Sequence, residues 1–265
     1  MNYYNHPAMS RSKIVDLDKM TPYKWYCKHE IKSLPQASTK ALDFGSAFHC
    51  YVLEPHLFSE QYTVEPKLDK RTKQGKEDYQ AFCDNNQGKT ILTVADNTML
   101  TNMLFSLSNH PATNIIKSCD LKEAEFYFDL EGVDFRAKLD CVNTKKNIIF
   151  DVKTCRESFV NGKHFASEMI QHHNAEQVFI YSEAYRQKYG TNPKFYFICV
   201  EKQAPFEVQI WDASCLYEYG YKKTLELVSK YKDLKEKCGD EHWIDNDIQI
   251  AELPYYAEKY LKNGE

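Results

Sequence analysis

The chain has 265 residues, 43% of them hydrophobic and 14% aromatic, with a formal net charge of −4. Such a composition supports a sizeable packed core, in one large domain or two small ones. The acidic balance excludes a protein that coats nucleic acid by overall positive charge; a nucleic-acid enzyme stays within bounds, because a cation-binding site itself requires carboxylates. No stretch approaches the roughly 20 apolar residues of a membrane span, and the opening MNYYNHPAMSRSK lacks the apolar core of a signal peptide. The nine cysteines are scattered without a CxxC pair. An odd number with no export signal predicts reduced thiols in a cytoplasm, and the spacing argues against an iron–sulfur cluster or a zinc ribbon.

In chain order, Ser10 or Ser12 caps a predicted helix through Ile14 and Leu17, and a second helix covers Tyr23 to Glu30. After the connector SLPQAS (33–38), the stretch ALDFGSAFHCYVLEP (41–55) places Leu42, Ala47, Tyr51 and Leu53 at roughly helical spacing, and Pro55 ends it. Residues 66–75 are polar and basic and read as an exposed loop, with helices following over 75–86 and 95–108. Near residue 122 the period changes. EAEFYFDL (123–130), VDFRAKLDCV (133–142) and IIFDVKT (148–154) alternate, joined by turns at Gly132 and at NTKKN (143–147). Two tight connections in succession predict an antiparallel three-stranded meander. A long helix is predicted from Phe165 to Tyr189, closed by Gly190. Two further strands, KFYFICVEK (194–202) and FEVQIWD (206–212), precede a final helix from Ser214 to Lys237, and ELPYYAEKYL in the tail is expected to pack back through its aromatics. The order predicts one α/β domain over residues 1–265: a mainly helical part to residue 120, a central mixed sheet flanked by helices over 121–240, and the tail from 241.

Side chains alternate between the faces of a strand. Ile149, Asp151 and Lys153 therefore share one face of the third strand, with Phe150 and Val152 on the other; Arg136, Lys138 and Asp140 share a face of the second. The short turn between them brings Asp140 near Asp151. Glu125 in the first strand is placed to join them; Glu123, two residues away, shares its face, and the strand register decides between the two. Two carboxylates with a lysine and an added glutamate are what phosphodiester hydrolysis with magnesium needs. Mg²⁺ prefers carboxylate oxygens; it polarises a scissile phosphate and lowers the pKa of a bound water. A lysine then positions that water or stabilises charge on the phosphoryl oxygens. A solvated strand face accounts for Asp-x-Lys alone equally well. Gln177 and Tyr181 lie four apart on one helical face, a pattern that an ordinary half-exposed helix also produces. His49, four residues after Gly45, is able to ligate a metal as a neutral imidazole.

Taken in order, G-x-x-x-H (Gly45, His49), Glu125, Asp140, D-x-K (Asp151, Lys153) and Q-x-x-x-Y (Gln177, Tyr181) resemble the PD-(D/E)xK nuclease superfamily in its RecB-like branch. NHPAMSRSKI, LDFGSAFHCYVLEPHLF, KRTKQGKEDYQAF and FDVKTC extend the similarity to the nuclease domain of the RecE-type exonuclease VIII proteins of prophages, over nearly the whole chain. Leu139 stands where the proline of the superfamily name would be. The resemblance implies a Mg²⁺-dependent exonuclease, with Mn²⁺ as a substitute. It would degrade one strand of linear double-stranded DNA from its 5′ end and leave a 3′ single strand for an annealing protein. A ring is implied, a tetramer by analogy. His49, Asp140 and Asp151 would be metal ligands, with the Val152 carbonyl as an extra one, and Lys153 the catalytic lysine. Glu125 would serve a second metal or orient the ligands; Gln177 and Tyr181 would hold the substrate strand or the lysine.

Basic residues Arg71, Lys73 and Lys76 are then expected along the DNA path, although solvation alone accounts for them. Ser10, Arg11 and Ser12 sit at a predicted helix N-terminus, where backbone N–H groups and the helix dipole favour a phosphate. They are a candidate 5′-phosphate pocket, although capping alone accounts for the serines. Two alternatives compete. One is another nuclease of the superfamily, an endonuclease or a Cas4-like enzyme, whose usual four-cysteine cluster the scattered cysteines lack. The other is a catalytically idle DNA-binding recombination scaffold, against which stands the mutual repulsion of clustered carboxylates that hold no metal.

Overall fold

Local capping and periodicity build the N-terminal half of the chain. In the computed structural model, which describes residues 3–34, 39–239, 243, 248, 250–254 and 257, α1 (Arg11–Lys19) is capped by Ser10, whose hydroxyl accepts from the Lys13 N–H. Thr21 caps α2 (Pro22–His29) and Thr39 caps α3 (Lys40–Leu53). Pro55 opens a 3-10 turn that leads into α4 (Phe58–Gln61) and β1 (Tyr62–Val64). α5 (Lys73–Asn85), β2 (Thr90–Leu92), α6 (Val94–Ser108) and α7 (Ala112–Ser118) follow, α6 behind a reciprocal Thr93/Asp96 capping box. β1 and β2 pair in parallel as a separate two-stranded sheet, which the sequence does not announce because three residues are too few to show an alternation. Within α3 the buried side chains are Phe44, Ala47, Phe48, Cys50 and Leu53, whereas Leu42 and Tyr51, expected on the apolar face, are exposed.

The three predicted strands form as β3 (Leu121–Leu130), β4 (Val133–Asn143) and β5 (Ile148–Cys155). Glu131 and Gly132, both at positive φ, turn β3 into β4, the backbone that a two-residue hairpin requires. The predicted long helix is two: α8 (Gly162–Gln171) and α9 (Asn174–Tyr189). His173 adopts a left-handed conformation, φ 55°, and breaks them. The break is held by Arg11, whose Nε and Nη2 donate to the His172 and His173 carbonyls and to Asn174 Oδ1 at 2.6–3.1 Å. β6 (Lys194–Glu201), β7 (Val208–Asp212) and α10 (Tyr217–Cys238) complete the series.

The sheet order is β3-β4-β5-β6-β7, with β5 and β6 parallel and the other pairs antiparallel. The α8–α9 crossover supplies the long connection that parallel neighbours need. Each face of the sheet has its own buried cluster. Phe135, Ala137, Leu139, Ile149 and Phe197 share one with Ile14 of α1, Val178 of α9 and Leu227 of α10. Cys141, Phe150, Val152 and Ile198 share the other with Phe48 of α3 and Met103 of α6. This is the mixed α/β architecture that the element order predicts. Trp243 is buried and stacks on Trp25 with centroids 5.0 Å apart; most of ELPYYAEKYL lies outside the described residues, and its start, 252–254, is exposed. No helix among the described residues is long and apolar enough to cross a membrane.

Candidate active site

The site occupies the point at which β4 and β5 part. Their register runs Cys141↔Phe150, Val142↔Ile149 and Asn143↔Ile148, so the ladder stops one residue short of Asp140 and Asp151. Asp140 Oδ2 instead takes the Val152 N–H at 2.8 Å. The opening is the floor of a cavity of about 760 Å³. α3 contributes His49 to its wall, β3 contributes Glu123, and β4 contributes Arg136 and Lys138. α9 closes the opposite side with Gln177 and Tyr181.

Gln177 ties the central residues together. Its Nε2 donates to Asp151 Oδ1 at 2.5 Å and its Oε1 accepts from Lys153 Nζ at 2.9 Å. An amide is suited to this place because it offers a donor to the carboxylate and an acceptor to the amine at once. Lys153 Nζ is also 2.7 Å from Asp151 Oδ2, a buried oxygen that the amine approaches without hydrogen-bond geometry. Across the opening, His49 Nδ1 lies 3.4 Å from Asp140 Oδ2, and Lys138 Nζ pairs with Glu123 Oε2 at 2.6 Å.

Burial governs the protonation of His49, Asp140, Glu123 and Tyr181. It lowers the His49 imidazole to about 4, with Lys153 adding repulsion, so the ring is neutral at pH 7 and has a lone pair to offer. Burial first, and then the adjacent Asp151, raise the Asp140 carboxyl well above the ordinary range. Glu123 is raised by burial against the opposing pull of Lys138. Burial and the two aspartates raise Tyr181 well above the usual phenol, which keeps its hydroxyl a proton donor.

His49, Glu123 and Asp140 each offer a ligand atom within 4.8 Å of the others. Nitrogen and oxygen donors of this kind suit a divalent cation. Asp151 falls outside this set; its buried Oδ2 has the Lys153 ammonium as its counter-charge.

The structure brings together His49, Asp140, Asp151, Lys153, Gln177 and Tyr181, with the Val152 N–H on Asp140. It does not bring Glu125. That side chain is exposed and accepts from the Tyr127 hydroxyl at 3.1 Å. The register explains the exchange. Glu125 lies opposite Lys138, whereas Glu123 falls between Lys122 and Ala124, whose partners are Cys141 and Leu139, and so stands level with Asp140. Glu123 also has a left-handed φ of 48°, a strained conformation for a side chain of its size. Ser10, Arg11 and Ser12 line the cavity, with Arg11 engaged at the α8–α9 break. Arg71, Lys73 and Lys76 do not line it: they lie exposed at the start of α5, with Arg71 on Asp69 and Lys73 near Glu77. Lys138, Glu54 and Tyr3 line the cavity without having been assigned a role from sequence. Alternation from Asp140 points to Lys138; nothing in the sequence marks Tyr3.

Residues 10–241 match the family described as a PDDEXK-like domain of unknown function (DUF3799). The chain belongs to this family. With Asp140, Asp151 and Lys153 converging, it is a nuclease of the PD-(D/E)xK type. No curated protein matches it. Its fold is similar to that of a candidate exonuclease from Eubacterium rectale, with a TM-score of 0.63 and 15% identity over 100% of this chain and 99% of that one. A second solved structure, SSO0001, has a TM-score of 0.29 at 13% identity over 69% of this chain and 85% of its own, too low to carry an argument. Asp140 comes from β4, Asp151 and Lys153 from β5, and Gln177 of α9 bonds to both Asp151 and Lys153.

Proposed function

We propose that this PD-(D/E)xK nuclease is a Mg²⁺-dependent exodeoxyribonuclease of the RecE type. It removes nucleotides from the 5′ strand of linear double-stranded DNA and leaves a 3′ single strand for an annealing protein in recombination. The observation that carries the reading is the convergence of Asp140, Asp151 and Lys153, beside His49 and Glu123, in one open cavity. Resemblance of the ordered motifs supports the exonuclease assignment, the polarity and a ring of four chains. Ring closure around DNA is consistent with the net charge of −4, since enclosure replaces part of the electrostatic grip.

His49, Asp140, Asp151 and Glu123 would hold the cation, with the Val152 carbonyl as a further ligand; Mn²⁺ suits the same donors. When bound, the cation polarises the scissile phosphate and acidifies a water. The chain's own residues do the rest. Lys153 places positive charge where the phosphoryl oxygens gain negative charge. Gln177 fixes Lys153 against Asp151, and Tyr181 presents a neutral hydroxyl to the substrate strand. Ser10 and Ser12, whose hydroxyls are 3.1 Å apart at the start of α1, receive the 5′-terminal phosphate, with Arg11 anchoring that helix end. The test is to incubate end-labelled duplex carrying a 5′ phosphate or a 5′ hydroxyl with magnesium. The labelled 5′ strand is expected to shorten, fastest with the phosphate; shortening of the 3′ strand, or cutting of closed circles, would refute the assignment.

A further inference from the structure

Nothing in the packing of α3 requires glycine at position 45. Gly45 lies in the helix interior, one turn before His49, and its φ is not left-handed. Among the described residues, a Cβ built on it would meet only Thr154 Oγ1 beyond the helix itself, at 4.0 Å, an ordinary van der Waals separation. The other glycines of the described helices differ: at Gly75 and Gly220 a Cβ would strike the Asp69 and Ala175 carbonyls, and Gly162 stands at the first position of α8. Glycine in a helix interior is less stable than alanine, because it gives up more backbone freedom on folding. α3 therefore bears a cost at Gly45 that its own packing does not call for.

Gly45 is part of the wall of the active-site cavity, with Ala41 and His49 of the same helix and with Thr154. Ala41, Gly45 and His49 follow at four-residue steps, so they share one side of α3, about 6 Å apart along its axis. Thr154 follows Lys153 directly on β5. The gap between Gly45 and Thr154 therefore opens beside the place where His49, Asp140 and Lys153 would engage the scissile phosphate. Within a strand, that phosphate has a nucleotide on either side, and the backbone of a neighbouring one needs room close to the helix. Glycine is the residue that permits such a close approach, because it presents no Cβ.

We infer that Gly45 is a clearance position: the sugar–phosphate backbone of the nucleotide next to the scissile bond passes between α3 at Gly45 and Thr154, where a side chain at position 45 would stand. This rests on the nuclease acting on a nucleic-acid strand as proposed above. The consequence is an opposition of signs. A methyl group at position 45 improves the free protein, in which no protein atom crowds it, and impairs the enzyme, in which the strand does. A glycine kept for packing would give losses in both.

The test compares Gly45→Ala and Gly45→Leu with Gly162→Ala, a control whose added Cβ also meets one atom at 4.0 Å but which does not line the cavity. In thermal melts in EDTA, Gly45→Ala is expected about 1–4 °C above wild type, and Gly45→Leu no lower than wild type. In steady-state cleavage of linear duplex DNA with magnesium, KM is expected to rise about ten-fold in Gly45→Ala and about 10²-fold in Gly45→Leu. The kcat of Gly45→Ala should change much less than its KM, and Gly162→Ala should leave both parameters as in wild type. A Gly45→Ala that melts below wild type would show a packing role, and one whose KM is unaltered would show that no strand passes there. Either result would overturn the inference while leaving the nuclease reading standing. A wild type that cleaves no DNA would overturn the nucleic-acid reading and this inference with it.

Discussion

The Val152 N–H donates to Asp140 Oδ2 at 2.8 Å, across the point where β4 and β5 cease to pair. A backbone donor that would have extended the sheet ladder is spent on a carboxylate. The strands part there, and the gap between them is the floor of the site. Asp140 is thereby held beside Asp151 although burial and that neighbour both oppose its charge.

That opposition has a measurable cost. The folded-state pKa of Asp140 is raised, so stability falls as pH climbs from the ordinary carboxylate range through the raised value. Asp140→Asn, which keeps an acceptor for Val152, is expected to raise the melting temperature at pH 7 in EDTA by about 2–4 °C. The same variant should lose nuclease activity. Thermal melts of both proteins in EDTA check it.

Gln177 is buried and bridges Asp151 and Lys153. Gln177→Ala is expected to lower kcat about 10²-fold through misplacement of the lysine, with a smaller change in KM. Steady-state kinetics on a linear duplex separate the two parameters.

Asp16 accepts from Lys28 at 2.7 Å and from His29 at 2.8 Å, tying α1 to α2. Burial opposes its charge, and the hydrogen bonds from His29 and Lys28 outweigh burial and hold the carboxyl below its ordinary value. A depressed pKa gives stability that is complete above about pH 4 and is lost as pH falls through the folded-state value. Asp16→Asn should cost about 1–3 kcal/mol at pH 7, and the deficit should shrink below about pH 4. Denaturant melts at both ends of that range check the sign.

The alternating strands, the element order and the meeting of five residues in one cavity were legible because each leaves a periodic trace: period two for Asp140, Asp151 and Lys153, a four-residue step for Gln177 and Tyr181. The choice of Glu123 over Glu125 was not. Both share the period, and only the register against β4 separates them. The break between α8 and α9 was hidden for a related reason. Its conformation depends on Arg11, 161 positions away in the chain from His172, which no local window contains. Arg71, Lys73 and Lys76 lie exposed outside the cavity; basic composition marked them, but where they stand relative to the cavity depends on packing that a local window does not contain.

Gly220 of α10 packs directly on the start of α9. A Cβ there would collide with the Ala175 carbonyl and crowd the Glu176 nitrogen. Gly220→Ala is expected to cost about 1–3 kcal/mol and to reduce activity as well, because α9 carries Gln177. Gly162→Ala, whose Cβ meets only Trp211 at 4.0 Å, should be close to neutral. Parallel melts and activity assays of the pair distinguish the two positions.

The proposed chemistry requires Asp140, Asp151 and Lys153 to act together, with a divalent cation, on one phosphodiester. Release of nucleotides from linear duplex DNA by wild type and by Asp151→Asn, with magnesium and with EDTA, tests this directly. Release by wild type in magnesium, none in EDTA, and a loss of about 10²–10³-fold or more in the variant is the predicted result. Release that persists in EDTA, or that Asp151→Asn leaves unchanged, would contradict it.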